Sequence, residues 1–424
     1  MTEAVVQPPR RTLFIGAMNA AMTLGRRTGL AKQPDLRLEA MLDDARAYTG
    51  LEDFGDRWFE RPLAVLLESL ESEARLNASG EWSAHAQFSK VLHDRLWAQM
   101  WFERHPEILE RRLPHPVIVV GPMRSGTTRM HRLLSADRRF THMRSFETIS
   151  PVPRPDFTFG GRDSRIRLAR NIRHVARLAN PRTLTIHPTG PLLPEEELGL
   201  LVNSMWGMKH EAQWYVPGYG RWCEGQDAAP AYEQMARLLK LIGWSQQASS
   251  LRPWLLKTPQ HMMDLPALLK VFPDARLIFT HRDPLAVVGS AASLAWNQTI
   301  IYSDHADPDR IGREWLRKTR LQIERMRAAR DDIPERRRID VHYDAMESDW
   351  RGQMERVYDF LDLDIGPALP AMAAYQRRTA TRRRPKHEYS LAEFGLSEGQ
   401  VLDELGDYVR DYGVALEDRL SASA

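Results

Sequence analysis

The amino-acid sequence predicts an α/β fold in which a P-loop-like parallel sheet is flanked by helices. From residue 116 onward, short apolar runs without alternation recur, as in strands that are buried on both faces of a sheet. Helical patterns follow these runs, and repeated strand–helix units favour a layered sheet with right-handed crossovers. The first run also leads into a glycine-bounded loop and an amphipathic helix, which together form a potential anion site.

Residues 1–115 are predicted to form a helical N-terminal extension. Apolar residues recur at three- and four-residue spacings in Leu36–Tyr48, Trp58–Leu76 and Phe88–Phe102. Three prolines between positions 106 and 116 then interrupt the chain. We therefore expect the extension to end at residue 115.

The segment at residues 10–24 resembles a weak secretory h-region, but Asn19 interrupts it, and Arg26 and Arg27 follow without an obvious cleavage site. A packed or interfacial amphipathic helix is the better interpretation. Since no stretch of about 18 apolar residues occurs, we expect no transmembrane segment. The pattern is compatible with weak peripheral membrane contact, and the cytoplasm is the predicted location.

Composition excludes several classes of protein. The chain has 59 basic and 56 acidic residues, a net charge of +3, which argues against a nucleic-acid partner. Only eight of the basic residues are lysine, so arginine is unusually abundant and suited to bidentate binding of phosphate or sulfate. A single cysteine, Cys223, excludes an intramolecular disulfide and any site with several cysteine ligands. We see no pattern that requires a metal.

The most informative stretch follows the predicted strand Val117–Val120. Its residues are Gly121, Pro122, Met123, Arg124, Ser125, Gly126, Thr127 and Thr128. The two glycines have the spacing of a Walker-type loop, whose backbone N–H groups bind anions together with the following helix N-terminus. A Walker loop requires lysine directly after the second glycine, and this chain has Thr127 there. The cation has moved to Arg124, which counts against ATP or GTP hydrolysis.

Three further strands are predicted at Trp254–Leu256, Arg276–Thr280 and Arg338–His342. Arg282 directly follows one of them, and Ser290 lies eight residues later on the next predicted helix. The carboxyl ends of strands are where open α/β sheets bind ligands, so both side chains are expected to contact one anion. Two anion sites in one chain suggest a bis-anionic nucleotide.

The α/β domain is expected to span 116–424, with a mainly helical insertion at 148–253 and a closing segment at 377–424. The insertion has an aromatic stretch with two interpretations: packing of the inserted helices, or an apolar wall for an acceptor. Its large side chains are Met205, Trp206, Met208, Trp214, Tyr215, Tyr219 and Trp222. Further on, a helix is predicted from Asp349 to about Leu361, ahead of a basic segment at Arg377–His387 and a final helix.

The motifs Gly-Pro-Met-Arg-Ser-Gly-Thr-Thr, Leu-Leu-Lys-Thr-Pro and Phe-Pro-Asp-Ala-Arg-Leu-Ile-Phe-Thr-His-Arg-Asp-Pro resemble the sulfotransferase family. More narrowly, they are similar to its bacterial branch with arginine in the first loop, as in tyrosylprotein sulfotransferases. The motifs cover about 117–148 and 254–362. The resemblance implies a single α/β domain that transfers a sulfuryl group from 3′-phosphoadenosine 5′-phosphosulfate to a hydroxyl or amine of a small-molecule, lipid or carbohydrate acceptor.

The same resemblance implies roles for individual residues. The loop from Gly121 to Thr128 binds the 5′-phosphosulfate, and Arg282 and Ser290 bind the 3′-phosphate. Lys257 lies where the family often places a lysine near the transferring group. The tail segment that closes over the nucleotide corresponds loosely to 382–389.

A general base is expected because a hydroxyl is a weak nucleophile, and three residues are candidates. Glu147 is the first choice, since relatives with the arginine loop place a glutamate base there. Glu196 is the second, although the cluster Glu195–Glu197 would also suit a helix cap. His261 is the third: cytosolic members have a histidine two positions after the lysine, where this chain has Pro259.

Two other functions fit parts of the sequence. A P-loop kinase or another nucleotide phosphotransferase would share the loop, but the missing Walker lysine and the Arg282/Ser290 pair count against it. A non-catalytic nucleotide-binding or sulfated-ligand-binding protein would require loss of the cation and the base. Arg124, Lys257 and several carboxylates are all present, so we favour an enzyme.

Overall fold

The computed structural model describes residues 10–182, 189–380 and 389–417 and confirms the α/β class. The helices that precede the sheet are α1 (Leu13–Arg27), α2 (Leu38–Thr49), α3 (Glu60–Ser72), α4 (Ala78–Arg104) and α5 (Glu107–Glu110). The predicted helical extension is therefore confirmed.

The first strand, β1 (Val117–Val120), is separated from β2 (Leu255–Lys257) by a helical insertion, also as predicted. The helices between the two strands are α6 (Thr127–Leu134), α7 (Ser145–Ile149), α8 (Ser164–Ala179), α9 (Leu198–Val202), α10 (Met208–Gln213), α11 (Pro217–Glu224) and α12 (Ala229–Ser245). Those from α8 onward lie within the predicted insertion at 148–253.

Strands and helices alternate in the rest of the chain. After β2 come α13 (Leu265–Val271), β3 (Arg276–His281), α14 (Pro284–Tyr302), α15 (Pro308–Arg330), β4 (Arg338–His342), α16 (Tyr343–Ser348), α17 (Trp350–Phe360), α18 (Leu369–Ala380) and α19 (Glu398–Asp411). The predicted helix ending near Leu361 and the final helix are both present.

The four strands form one parallel sheet in the order β2-β1-β3-β4. Within it, Val119 pairs with Lys257 on one side and with Ile278 on the other. All four residues of β1 are buried, which explains their unalternating apolar pattern. Since β1 has a neighbour on each side, the loop that follows it lies between the ends of β2 and β3.

The observed strand bounds differ little from those predicted. β1 and β4 begin and end as expected, and β3 extends one residue further, to His281. β2 begins at Leu255 rather than Trp254, and its last residue is Lys257. Trp254 forms an isolated bridge with Thr141, and its carbonyl accepts a hydrogen bond from Val117 N.

Helix bounds in the extension were less accurately predicted. A short 3₁₀ turn at Arg57–Phe59 precedes α3, and Arg75, with φ of 47°, follows its end. The apolar pattern predicted a helix from Phe88, whereas α4 is 27 residues long and starts ten residues earlier, at Ala78. Its start is set by Asn77, whose side chain accepts a hydrogen bond of 2.8 Å from Gly80 N.

The main hydrophobic core joins the extension to the sheet and the insertion. One continuous cluster includes buried side chains of α2–α5, Ile118 and Val120 of β1, and residues of α9 and α12. A second cluster covers the opposite face of the sheet, with Val117 and Val119 against α6 and α17. Both faces of β1 are therefore covered. The boundary at residue 115 stays a prediction.

No helix in the described part of the chain is both long enough and apolar enough to cross a membrane.

Candidate active site

The loop after β1 has a conformation that requires glycine at two positions. Gly126 has φ of 87°, and a β-carbon there would approach the Tyr343 ring to 2.9 Å. A β-carbon on Gly121 would lie 2.0 Å from Thr280 Oγ1. Ser125 Oγ is 2.7 Å from that hydroxyl and donates to the Pro122 carbonyl at 2.8 Å. These contacts fix the loop between β1 and β3.

The loop ends where α6 begins, at Thr127. The first N–H groups of a helix lack intrahelical acceptors, so the start of α6 directs N–H groups and positive dipole toward the loop. Arg124 in the loop has φ of 71°, a backbone conformation that costs a non-glycine residue about 1–2 kcal/mol. The predicted anion site therefore has both the backbone shape and the cation that an anionic ligand needs.

Arg124 connects the loop to the second predicted anion site. Its Nε lies 3.1 Å from Ser290 Oγ on α14, and its carbonyl accepts a hydrogen bond of 2.6 Å from Arg282 Nη1. Burial lowers the pKa of Arg124 below its ordinary value, although an arginine remains charged. The structure thus brings together Arg124, Arg282 and Ser290, residues up to 166 positions apart in the sequence.

The remaining edge of the Arg282 guanidinium contacts a carboxylate. Its Nε and Nη2 donate to the two oxygens of Glu417 at 2.5 and 3.0 Å, and its Cζ lies 3.9 Å from the centroid of the Tyr343 ring. Burial opposes the charged form of Arg282, but the hydrogen bonds to Glu417 outweigh it and raise the pKa. A guanidinium edge that binds a carboxylate in this way has the geometry to bind a phosphate.

Lys257 lies at the end of β2 beside the start of α6. Its side chain is 1% exposed, and Nζ lies 3.3 Å from Thr128 Oγ1 and donates to Glu196 Oε1. The Glu196 carboxylate is 18% exposed, so it lies where the buried lysine meets solvent. A hydroxyl, an ammonium and a carboxylate therefore converge next to the anion loop.

Glu197 organises the residues behind Lys257. One carboxylate oxygen accepts from Lys257 N at 2.9 Å, and the other lies 2.5 Å from His261 Nε2. The other ring nitrogen of His261 lies 2.9 Å from the Tyr232 hydroxyl, and the histidine is fully buried. The sequence also suggested that the glutamate cluster caps a helix. Glu197 directly precedes α9, but its side chain makes no capping hydrogen bond.

Glu147 lies at the start of α7 and is fully buried. Its carboxylate accepts hydrogen bonds from the Arg144 backbone N at 2.7 Å and from the Arg144 guanidinium. Gln246 Nε2 donates to both of its oxygens, at 2.9 and 3.1 Å. These hydrogen bonds cap α7 and tie it to α12. The structure thus gives Glu147 structural partners, whereas Glu196 contacts Lys257.

The aromatic stretch of the insertion is largely core. Trp206 is buried and donates to Asp264 at 2.9 Å, Tyr219 donates to the Met205 carbonyl at 2.6 Å, and Trp214 stacks on His210. The packing interpretation therefore holds for these residues. A small, partly open pocket of about 20 Å³ remains at the edge of this core, and its lining includes Trp214, Tyr215, Ile311 and Trp315 beside Glu211, Glu314 and Lys318.

The predicted closing segment is described only in part, because residues 381–388 lie outside the described residues. Tyr389, the next residue, donates to the Ala286 carbonyl at 2.9 Å and packs against Gly289 on α14. Within the described ranges, no cluster of three or more His, Cys, Asp or Glu side chains is placed to hold a metal ion.

Sequence reasoning missed Thr280, Tyr343 and Glu417 as members of this constellation, and it considered Glu197 only as part of the Glu195–Glu197 cluster. Tyr343 directly follows β4 and could have been found by inspecting every strand end, as was done for Arg282. Glu417 carries no such signal, since only the fold brings it to Arg282.

Comparison with known proteins gives a consistent family. A family model described as "Sulfotransferase family" matches residues 116–367. Omega-hydroxy-beta-dihydromenaquinone-9 sulfotransferase Stf3 of Mycobacterium bovis is 24% identical over 318 residues, covering 69% of this chain and 75% of that protein. Stf3 of Mycobacterium tuberculosis matches to the same extent.

Two solved structures share the fold. Sulfotransferase STF1 from Mycobacterium tuberculosis has a TM-score of 0.77 at 28% identity, covering 88% of this chain and 98% of that chain. Sulfotransferase STF9 from Mycobacterium avium has a TM-score of 0.81 at 24% identity, covering 92% and 100%. Both similarities extend well beyond the sheet, into the extension and the insertion.

Proposed function

Since the chain belongs to the sulfotransferase family, we propose that it transfers a sulfuryl group from 3′-phosphoadenosine 5′-phosphosulfate to an acceptor hydroxyl or amine. The observation that carries this proposal is the connection through Arg124, which joins the anion loop to Ser290 and Arg282. A nucleotide with phosphate groups on both its 5′ and 3′ positions requires two such subsites side by side.

The donor would be held by residues that follow the two central strands, β1 and β3. The loop from Gly121 to Thr128 and the start of α6 would bind the 5′-phosphosulfate through N–H groups, hydroxyls and Arg124. Arg282 and Ser290 would bind the 3′-phosphate. Bound there, the donor supplies a sulfuryl group with a good leaving group, adenosine 3′,5′-bisphosphate, and the reaction has no need of a metal.

Sulfuryl transfer resembles phosphoryl transfer, in which charge develops on the leaving oxygens and catalysis depends on positioned donors. The acceptor oxygen forms a bond to sulfur while the bond from sulfur to the 5′-phosphate oxygen breaks, and that oxygen keeps the electron pair. Lys257 and Arg124 would stabilise the charge on the leaving phosphate. The backbone hydrogen bond from Lys257 to Glu197 holds the end of β2 in position for this.

We assign the general base to Glu196 rather than to Glu147 or His261. Glu196 is partly exposed and contacts Lys257, so it can accept the acceptor's hydroxyl proton beside the reacting sulfur. Glu147 is buried with three hydrogen-bond donors around it, and His261 is buried between Glu197 and Tyr232. Neither is open to an acceptor in this arrangement.

The acceptor class follows from the relatives and from the insertion. The curated relatives are sulfotransferases for omega-hydroxy-beta-dihydromenaquinone-9. The inserted helices are also rich in apolar and aromatic side chains, and those beside the small pocket include Trp214 and Tyr215. We therefore propose an apolar hydroxylated acceptor, such as a lipid alcohol, ahead of a carbohydrate. A cytoplasmic location stays a prediction from the sequence.

The test is a transfer assay with the donor labelled in its sulfuryl group and a panel of an isoprenoid alcohol, a phenol and an amino sugar. We expect label on the isoprenoid alcohol, and transfer at least ~100-fold slower in Arg124→Gln. The exposed variant Arg351→Gln is the matched control and should keep wild-type activity. Transfer of phosphate from ATP, with no transfer from the sulfated donor, would contradict the proposal and favour a kinase.

A further inference from the structure

Two helices far from the sheet expose apolar side chains that a monomeric protein normally buries. On α1 these are Leu13, Phe14 and Met18, and on α8 they are Ile172, Val175 and Leu178. Leu13 is 93% exposed and Val175 57%. We call this set the α1/α8 face. Scattered exposed apolar residues are ordinary, but a contiguous group usually marks an interaction surface.

The orientation of α1 is inverted with respect to a typical surface helix. Its buried side chains are Ile15 and the polar Asn19, and Asn19 Oδ1 accepts a hydrogen bond from Ser79 N on α4. Arg26 also binds α4, through Glu81 and the Ala78 carbonyl. Polar contacts therefore hold α1 against the protein, and its more apolar side faces outward.

α1 and α8 form one continuous surface rather than two separate ones. Thr12 Oγ1 donates a hydrogen bond of 2.7 Å to the Ala179 carbonyl, which joins the start of α1 to the end of α8. Leu13 and Leu178 are the direct sequence neighbours of these two residues. Apolar residues of both helices therefore lie close to this junction.

The face is also strongly basic. α8 contains five arginines and no acidic residue, and all of them except Arg165 are exposed. Arg165 is turned inward and paired with Asp163. α1 has no acidic residue either, ends at the exposed Arg27 and is preceded by the exposed Arg10. Apolar side chains among arginines are typical of a helix that lies in the interface of an anionic membrane.

A segment of the chain connects the face to the candidate active site. Arg173 of α8 donates to the Thr189 carbonyl at 3.1 Å, at the start of the segment that leads to Glu196. Leu192 and Leu193 in this segment are also exposed. The segment therefore links the α1/α8 face to the carboxylate that contacts Lys257.

We propose that the α1/α8 face docks on the surface of an anionic lipid bilayer, with both helices lying in the interface plane. A bilayer fits better than a second copy of this chain, because two equally basic faces would repel each other. Docking would place the entrance of the site at the level where a lipid acceptor presents its hydroxyl. The lipid acceptor belongs to the proposed function, but the docking itself does not depend on it.

The test measures co-sedimentation of the full chain with vesicles, without nucleotide or acceptor, so its outcome is independent of sulfuryl transfer. Vesicles of equimolar phosphatidylglycerol and phosphatidylcholine are compared with phosphatidylcholine alone. We expect binding to the anionic vesicles only, weakened by salt. An arginine near an anionic surface contributes about a fivefold factor, so Arg170→Gln/Arg177→Gln should bind about 30-fold more weakly.

Matched variants separate this face from general charge. Arg351→Gln/Arg410→Gln removes the same charge from exposed positions elsewhere and should bind as wild type does. Phe14→Ser/Val175→Ser removes apolar contacts and should weaken binding at least ~10-fold. All substituted side chains are exposed, so unchanged thermal unfolding is expected. Equal binding by all variants, or a wild-type dimer that Phe14→Ser/Val175→Ser dissociates, would overturn the proposal.

Discussion

Arg124 connects the two proposed anion subsites. Its side chain binds Ser290 and its carbonyl binds Arg282, so a single left-handed residue in the loop positions groups from β3 and α14. A lysine could neutralise charge here, but its single ammonium could not reproduce the planar fork of a guanidinium. This explains how arginine can serve in the loop without the lysine that nucleotide hydrolases require.

The assignment of the base predicts opposite effects for two glutamates. Glu196→Gln should lower kcat about 100-fold or more at saturating donor, because general base catalysis contributes roughly that factor. Its affinity for adenosine 3′,5′-bisphosphate should be unchanged. Glu147→Gln should instead lower the free energy of unfolding by ~1–3 kcal/mol and leave kcat close to that of the wild type.

Steady-state rates and thermal unfolding of both variants check this prediction. Glu347→Gln, an exposed glutamate that pairs with Arg129, serves as the control for removing a surface carboxylate. A normal kcat for Glu196→Gln together with a large loss for Glu147→Gln would reverse the assignment.

Glu417 makes a second prediction at the residue scale. Its carboxylate binds the edge of Arg282 that we assign to the 3′-phosphate, so the two anions compete. Since a partly exposed ion pair contributes about 1 kcal/mol at most, Glu417→Gln should tighten binding of adenosine 3′,5′-bisphosphate up to about fivefold. Calorimetric titration measures this. Weaker binding would mean that Glu417 supports the subsite rather than competing for it.

Sequence reasoning succeeded where neighbouring residues carry the signal. The loop from Gly121 to Gly126 and the strand β1 are local patterns, and the structure shows both. The different roles of Glu147 and Glu196 depend on partners that are distant in the sequence. Gln246 reaches Glu147 only when α12 lies beside α7, and Lys257 reaches Glu196 only across the insertion. No spacing in the sequence distinguishes these two carboxylates.

At the scale of elements, the insertion is attached to the α/β part by a buried charge cluster. Lys318 of α15 pairs with Glu211 of α10 and Glu224 of α11, and Arg317 adds a second ion pair to Glu224. Glu211 and Lys318 are deeply buried, so removing one partner would leave another charge uncompensated. The cluster fixes two inserted helices against α15, beside the small pocket that Trp214 and Trp315 line.

This cluster predicts a pH-dependent stability. Burial would raise the pKa of Glu224, but hydrogen bonds and charges of Arg317 and Lys318 lower it from 4.5 to about 2. A carboxylate whose pKa is lower in the folded state stabilises above its unfolded value, and that stability is lost as the pH falls from 4.5 toward about 2. Glu224→Gln should therefore cost about 2 kcal/mol near neutral pH and progressively less in acid.

Urea unfolding of the wild type and Glu224→Gln at several pH values tests this directly. The exposed Glu355→Gln, which removes one surface ion pair, should show little effect at any pH. A difference between wild type and Glu224→Gln that stays constant down to about pH 3 would show that the ionised carboxylate contributes nothing.

At the scale of the whole molecule, the fold places a binding edge, a helical insertion and a helical extension around one core. The parallel sheet was predictable because the strands are short, three of the four are mainly apolar, and each is followed by a helix. The contribution of the extension to the same core was not, because its packing partners in α9 and α12 lie about a hundred residues away in the sequence. α1 adds no side chain to this cluster, and its polar contacts with α4 leave its apolar side exposed as part of the α1/α8 face.

The proposed binding of the donor depends on two adjacent anion subsites that recognise a nucleotide with a 3′-phosphate. Calorimetric titration with adenosine 3′,5′-bisphosphate, adenosine 5′-monophosphate and ATP with magnesium tests this most directly, in the wild type and in Ser290→Ala. We expect the bisphosphate to bind about 10–100-fold more tightly than the monophosphate, since charge-assisted hydrogen bonds to one phosphate account for such a difference. Ser290→Ala should reduce that preference. Equal affinity for the two adenosine phosphates, or tight binding of ATP with magnesium alone, would contradict the account.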